Sequence, residues 1–338
     1  MADQEPSLSE DQSRPACVRD TPARRDGVRL AVLATAFFST SAVLVRLASG
    51  LGPLEVASYR LLLGAVLVGG LAVLGRPRSS PAPGQALLRS SGGGERARRG
   101  PAVWPVLAAG LVAALHFAFY IGSLYRTSIA HALVLVNLSP LLAMPLAALF
   151  LRERFDGRRL PAILVVIAGL GVMVGLEPTL TRGELVGDLM AFLAALAYAV
   201  YSLIGRSQKA ERNVLPYTFW VYLVAGLVLL PLAQWQHIAS LRPPAPLAAW
   251  LAVALLALLP TAGGHTLYNA ALRRADAVTV NLIATQEVPG GVLLGLLLLG
   301  EVPSAQAVVG GIIALGGLYL ALRPTGDRGK VGDRRRGA

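Results

Sequence analysis

Ten apolar stretches succeed one another along this chain, at about 28–48, 54–75, 103–124, 131–151, 159–176, 185–206, 215–236, 247–271, 277–299 and 304–322. Each approaches the roughly 20 residues that an α-helix needs to cross a hydrocarbon core about 30 Å thick. Inside lipid the backbone must satisfy its own hydrogen bonds, which leaves only helices or a closed β-barrel. A barrel strand reads as about ten residues of alternating character, and these stretches are longer and unbroken. The expected fold is an all-α integral membrane protein with ten transmembrane helices. Composition agrees where the argument needs it: 15% of residues are charged, against about a quarter in a soluble domain.

The net charge of +12 invites a nucleic-acid reading, but position argues against it. Of 31 Lys and Arg, 26 belong to the N-terminal tail, the 2–3, 4–5, 6–7 and 8–9 loops and the C-terminal tail. Arg126, Arg182 and Arg242 lie in the opposite loops, and Arg46 and Arg60 lie within spans. Lys and Arg concentrate on the cytoplasmic side of membrane proteins. Both termini are therefore expected in the cytoplasm, with the spans in the cell (plasma or inner) membrane. Residues 1–27 are polar and expected to be a disordered cytoplasmic tail. Residues 76–102, with "SSGGGERARRG", read as a flexible basic loop, and 323–338 as a basic cytoplasmic tail. Cys17 is the sole cysteine, so neither an internal disulfide nor a cysteine metal site is possible. No cofactor or metal is expected.

The chain repeats itself. "YIGSLYRTS" (120–128) aligns with "YNAALRRAD" (268–276) at an offset of 148, which also carries Glu153 onto Glu301 and Gly169 onto Gly317. A weaker match near an offset of 160 pairs "FFSTSAVLVR" (37–46) with "YAVYSLIGR" (198–206). Two five-helix halves result, 28–176 and 184–322. Five is odd, so the second half enters the membrane from the opposite side. Inverted repeats of this kind build many secondary transporters, with the binding site near the midplane between halves.

These features resemble the drug/metabolite transporter superfamily, in its two-copy EamA-type form, over about residues 28–322. The resemblance rests on the two fives of spans, on "SLYRTS" and "ALRRAD" closing spans 3 and 8, and on "LSPLLAMPLAALFLRE", where Pro140 precedes Glu153 by thirteen residues. The second copy keeps "GE" at 300–301, but Val288 fills the proline position and Pro289 follows one residue late. Span 1 has Phe38–Ser39 where a Trp–Gly pair is common. The resemblance implies a ten-helix transporter of small polar metabolites, often an exporter of amino acids or related compounds. Glu153 and Glu301, just past helix ends, then look structural, as capping or loop-packing groups.

Glu287 poses the sharpest chemical question, because ten uncharged residues flank it on either side. It lies about 15 Å along span 9 at 1.5 Å per residue, close to the bilayer centre. An ionisable residue at that depth usually faces a bundle interior or an aqueous cavity. Two readings stand: a carboxyl that carries protons or meets a substrate ammonium, or a neutral packing group bonded to a neighbouring helix. Asn281, Thr285 and Gln286 place polar groups nearby. In the counterpart span, Asn137 and Ser139 sit at similar depth. Pro140, Pro145 and Pro289 are the expected helix breakers, each removing a backbone donor. Interrupted helices in corresponding positions of two halves point to a transporter site.

Arg60 is either a bidentate anchor for a substrate carboxylate or a residue that snorkels to the interface. Arg46, nearer a helix end, is expected to snorkel. His116 and His265 are mid-membrane histidines that either relay protons or pack through hydrogen bonds. Tyr120 and Tyr268 correspond by repeat and either line the cavity or fill the core. Trp104, Trp220, Trp235 and Trp250 suit an interfacial belt. Gly171 and Gly175 give a small-xxx-small spacing that serves a monomer as readily as a homodimer.

The expected partners are a small-molecule solute, membrane lipid and protons, with no nucleic acid. No HExxH, aspartate dyad or nucleotide loop occurs, so an enzyme is not expected. An intramembrane enzyme built from scattered His and Glu, or a scaffold or sensor, remains as the alternative.

Overall fold

A computed structural model describes residues 22–74, 103–151, 157, 160–175, 181–207, 214–240, 243–272, 274–275, 280 and 283–322. Among them the regular structure is helical throughout: α1 Pro22–Leu47, α2 Pro53–Leu74, α3 Val103–Leu124, α4 Ile129–Val136, α5 Ser139–Leu151, α6 Leu160–Gly175, α7 Arg182–Ser207, α8 Val214–Ser240, α9 Leu247–Leu256, a π-helical segment Ala257–Gly264, α10 His265–Leu272, α11 Glu287–Leu299 and α12 Ala305–Leu322. Seven helices are long and apolar enough to cross a membrane, taking Ile129–Phe150 and Leu247–Tyr268 each as one. Leu160–Met173, Glu287–Leu299 and Ala305–Ala321 are shorter apolar helices. The four tryptophans are all exposed, as an aromatic belt requires.

Of the polar stretch 1–27, expected to be a disordered tail, residues 1–21 lie outside the described residues, and the last six, from Pro22, open α1. Proline suits a first helical turn, where its missing N–H would be unpaired anyway, and Gly27 is buried against a later turn. Helix breaks fall at Asn137–Leu138 and Thr285–Gln286, in the turn just before Pro140 and Pro289. Pro140 and Pro289 then occupy the first turns of α5 and α11, where no donor is missed. Pro145 lies inside α5, which continues past it to Leu151.

Caps fix several ends. Ser128 caps α4 by accepting from the His131 amide at 3.2 Å. Thr181 and Glu184 form a reciprocal capping box at the start of α7, with Thr181 N donating to Glu184 Oε2 at 2.7 Å and Glu184 N to Thr181 Oγ1 at 3.2 Å. Gly300 ends α11 in the left-handed conformation, φ 67°.

Without a hydrophobic drive between helices in lipid, close packing of small residues holds helices together. The α6–α12 contact shows it: a Cβ on Gly169 would overlap Ala314 and lie 2.7 Å from the Gly310 carbonyl oxygen, while one on Gly317 would lie 2.7 Å from Val166 N and 3.0 Å from the Ala162 carbonyl oxygen. Those two contacts exchange under the 148-residue offset, since 169, 166 and 162 map onto 317, 314 and 310. The main apolar core runs through α1–α4 and α7–α9, with Leu61, Ile121, Leu124, Leu133 and Leu256 fully buried.

Candidate functional site

The two chain breaks correspond. Asn137–Leu138 and Thr285–Gln286 are separated by 148 residues, so α5 and α11 are half-helices that start at equivalent positions, Ser139 and Glu287. Glu287 therefore sits in the first turn of α11, where the helix dipole favours an acid. It is half-buried and within electrostatic reach of Arg60, Tyr120 and Tyr198. Arg60 is the charged group that acts on it.

Arg60 provides the opposite charge. It is buried, 3% exposed, which rules out snorkelling. Nε donates to Thr261 Oγ1 at 2.7 Å and Nη1 to Ser41 Oγ at 3.2 Å. Its guanidinium carbon lies 4.8 Å above the Phe117 ring, a cation–π arrangement that gains strength when desolvated. All its direct partners are neutral, so the charge is held in place without being cancelled by contact.

The helix around Thr261 explains how that is possible. Pro260 has no amide to give the Leu256 carbonyl; the π register that follows brings Thr261 to it instead, and the Thr261 hydroxyl also donates to Leu256 O at 2.7 Å. The backbone widens into a π segment, a feature that marks functional sites. Gly263 and Gly264 then let Phe37 and Phe38 approach, and a Cβ on either would sit 3.0 Å or less from a ring carbon. Thr261 Oγ1 both bonds the Leu256 carbonyl and orients Arg60.

Aromatic side chains enclose the remaining space. A cavity of about 10 Å³, room for a single water, is lined by Ala113, His116, Phe117, Tyr198, Tyr201, Tyr222 and His265. His116 stacks on Tyr120 at 6.0 Å and meets Tyr198 at 5.0 Å. Its Nδ1 donates to the Ala194 carbonyl at 2.9 Å, a packing bond that also fixes the ring at the cavity wall. His265 lies edge-on to Phe38 at 5.0 Å and to Tyr222 at 6.1 Å.

The structure thus brings Glu287, Arg60, His116, Tyr120 and His265 together. Other candidates stand apart. Asn137 spends its amide on the Leu133 carbonyl at 3.0 Å, Gln286 is exposed, and Thr285 is half-buried. Ser139 is buried. Tyr268 packs with Leu30, Ala31 and Ala271 on one side and on the other meets Phe38 at 6.2 Å, the ring that His265 also meets. Asn281 and Glu153 lie outside the described residues. Thr261, Ser41, Phe117, Tyr198, Tyr201 and Tyr222 are not singled out by the sequence argument. "PTAGG" in mid-span was the available signal for Thr261; the tyrosines carry none, because apolar helices commonly bury them.

Arg46 was expected to snorkel and does not. Its Nη2 donates to the Thr127 carbonyl at 2.8 Å and pairs with Glu301 Oε2 at 3.3 Å.

A helical membrane protein with two correspondingly interrupted helices, a buried arginine and an aromatic enclosure has the design of a membrane transporter. A profile of the EamA-like transporter family matches residues 26–175 and 185–323, and the chain belongs to that family. It is similar to the pseudopaline exporter CntI of Pseudomonas aeruginosa, 28% identical over 293 residues that cover 86% of this chain and 93% of the relative. It is also similar to a probable terminal-alkyne amino-acid exporter of Streptantibioticus cattleyicolor, 29% identical over 57% of this chain and 64% of that one. A solved crystal structure shares the fold with a TM-score of 0.57 and 20% identity, covering 88% of this chain and 96% of its own.

Proposed function

We propose that the chain is a secondary active exporter of small zwitterionic metabolites, amino acids or related compounds, working by alternating access around the aromatic-lined cavity, with Arg60 above its Phe117 wall and Glu287 as the charged groups. The observation that carries this reading is the buried Arg60 charge, held by neutral partners beside an aromatic wall, with the half-buried Glu287 carboxyl within electrostatic reach. A carboxylate fits the guanidinium fork bidentately, an ammonium meets Glu287, and an apolar substituent rests on Tyr198, Tyr201 and Tyr222. The names of the two exporters are consistent with it: both carry "exporter", and one names an amino acid.

Ten spans in two inverted five-helix repeats, with both termini cytoplasmic, complete the reading. It is supported by the exchanged glycine contacts of α6 and α12 and by the 148-residue spacing of the two breaks. The three shorter apolar helices supply the spans beyond the seven long ones. Glu287 is the proposed proton-coupling group, since it is the carboxylate within electrostatic reach of Arg60, Tyr120 and Tyr198.

Counterflow of labelled amino acids in proteoliposomes tests the proposal. Glu287→Gln removes the charge and keeps the shape, and should lower flux at least about tenfold, the loss expected for one charged partner. Residual flux should no longer respond to a pH gradient. Wild-type, gradient-dependent flux from this variant would return Glu287 to a packing role.

A further inference from the structure

The end of the molecule that carries the α3–α4 turn holds a set of polar contacts away from the cavity. Glu301 follows Gly300, whose left-handed turn closes α11 with Gly300 N donating to Leu296 O at 3.1 Å and Glu301 N to Gly295 O at 3.2 Å. The turn directs the Glu301 carboxylate onto the start of α4. Oε1 accepts the Ile129 amide at 2.6 Å. Arg46, at the end of α1, bridges the same carboxylate at 3.3 Å and donates to the Thr127 carbonyl at 2.8 Å. On its other side α4 is held by α7: Thr127 Oγ1 donates to Asp188 Oδ1 at 2.6 Å and His131 Nδ1 to Asp188 Oδ2 at 2.9 Å.

These bonds divide by the bodies they join. α4 packs against α7 on one side and against α11 and α12 on the other. The Asp188 bonds tie it to α7, and the Glu301 and Arg46 bonds cross from its start to α11 and α1. The helix break at Asn137–Leu138 leaves α4 as an eight-residue piece separate from α5. Glu301 and Arg46 are also only about one-quarter exposed, next to a small crevice lined by Ser128, Ile129, Gly295 and Glu301. A charge-assisted bond to a helix N-terminal amide is stronger than an ordinary surface ion pair.

We propose that Glu301 and Arg46 form the outer latch of the transport cycle, holding the α4 amide at Ile129 and releasing it when the cavity opens to the exterior, while Asp188 keeps α4 attached to α7. The proposal rests on the transporter reading and its orientation, and it assigns Glu301 a role in the cycle beyond capping.

Thiol accessibility tests it without any knowledge of the solute. In a Cys17→Ser background, Leu133→Cys places a reporter beneath the latch, where Leu133 is buried against Gly291 of α11. A membrane-impermeant maleimide is added to intact cells. Glu301→Gln should raise the labelling rate about tenfold, the effect of losing a charged acceptor, and Arg46→Gln should raise it in the same direction as an independent check. Asp188→Asn, which leaves the crossing bonds in place, should raise it less than either. Equal rates in parent, Glu301→Gln and Arg46→Gln proteins that elute as folded species would overturn the latch. Thr181→Cys reports orientation separately. Labelling there only after permeabilisation would overturn the exterior assignment, and the reporter rates are then compared in permeabilised cells, where equality again defeats the latch.

Discussion

Two turns at opposite ends of the molecule meet the same kind of partner in the same way. Gly187 of α7 lies against Arg126 and Thr127, so that a Cβ on it would be 2.8 Å from Thr127 N and 2.9 Å from Arg126 Cβ. Gly27 of α1 lies against Arg274 and Ala275, and a Cβ there would be 2.8 Å from Ala275 N and 2.9 Å from Arg274 Cβ. The glycines are 160 residues apart and their partners 148, the two offsets found in the sequence. The chemistry beyond the glycines differs. Asp188 follows Gly187 and binds Thr127 and His131. Val28 follows Gly27, Ala275 replaces Thr127, and the surroundings are Ala31, Ala271 and Val280. Backbone proximity is thus shared, while among the described residues one seam is tied by the Asp188 hydrogen bonds and the other packs Ala31, Ala271 and Val280. A polar seam exchanges bonds with water when it parts; an apolar one loses contact area.

The largest expected effect tests the shared part. Gly187→Val and Gly27→Val each force a side chain into a neighbouring backbone, and each should cost about 3 kcal/mol of stability in detergent melts, the upper part of the overpacking range. A melt unchanged by either would show that its seam can spread. Next comes the difference. Asp188→Ala strands the His131 and Thr127 donors and should cost about 2 kcal/mol, whereas Val28→Ala should cost about 1 kcal/mol or less. Comparable losses would mean that the buried Asp188 bonds contribute no more than packing does. The smallest effect sharpens the polar seam further. Thr181→Ala removes the capping box at the entry to α7 and should cost about 0.5–1 kcal/mol, read as faster amide hydrogen exchange in the first turn of α7 with the cavity end unaffected.

Much of this architecture was legible because lipid imposes strict rules. Span positions follow from runs of apolar residues, and the 148-residue offset marked where the two breaks would correspond. Glu287 stood out because a mid-membrane carboxylate needs a partner. Less legible was the site around it. Arg60 looked as suited to the interface as to the interior, since its long side chain can reach either. Its burial is matched by Thr261, Ser41 and Phe117, which arrive from three other helical segments. Arg46 and Glu301 are 255 residues apart, and neither has a local pattern that names the other.

The linear chain by itself determined that the molecule is helical, lies in a membrane and is built from two related halves, because hydropathy and repetition act over short stretches and need no knowledge of folding. Which polar groups face one another was settled only in three dimensions. A buried charge is stable only where a specific donor, ring or counter-charge arrives from another helix, and that arrival depends on packing between residues far apart in the chain.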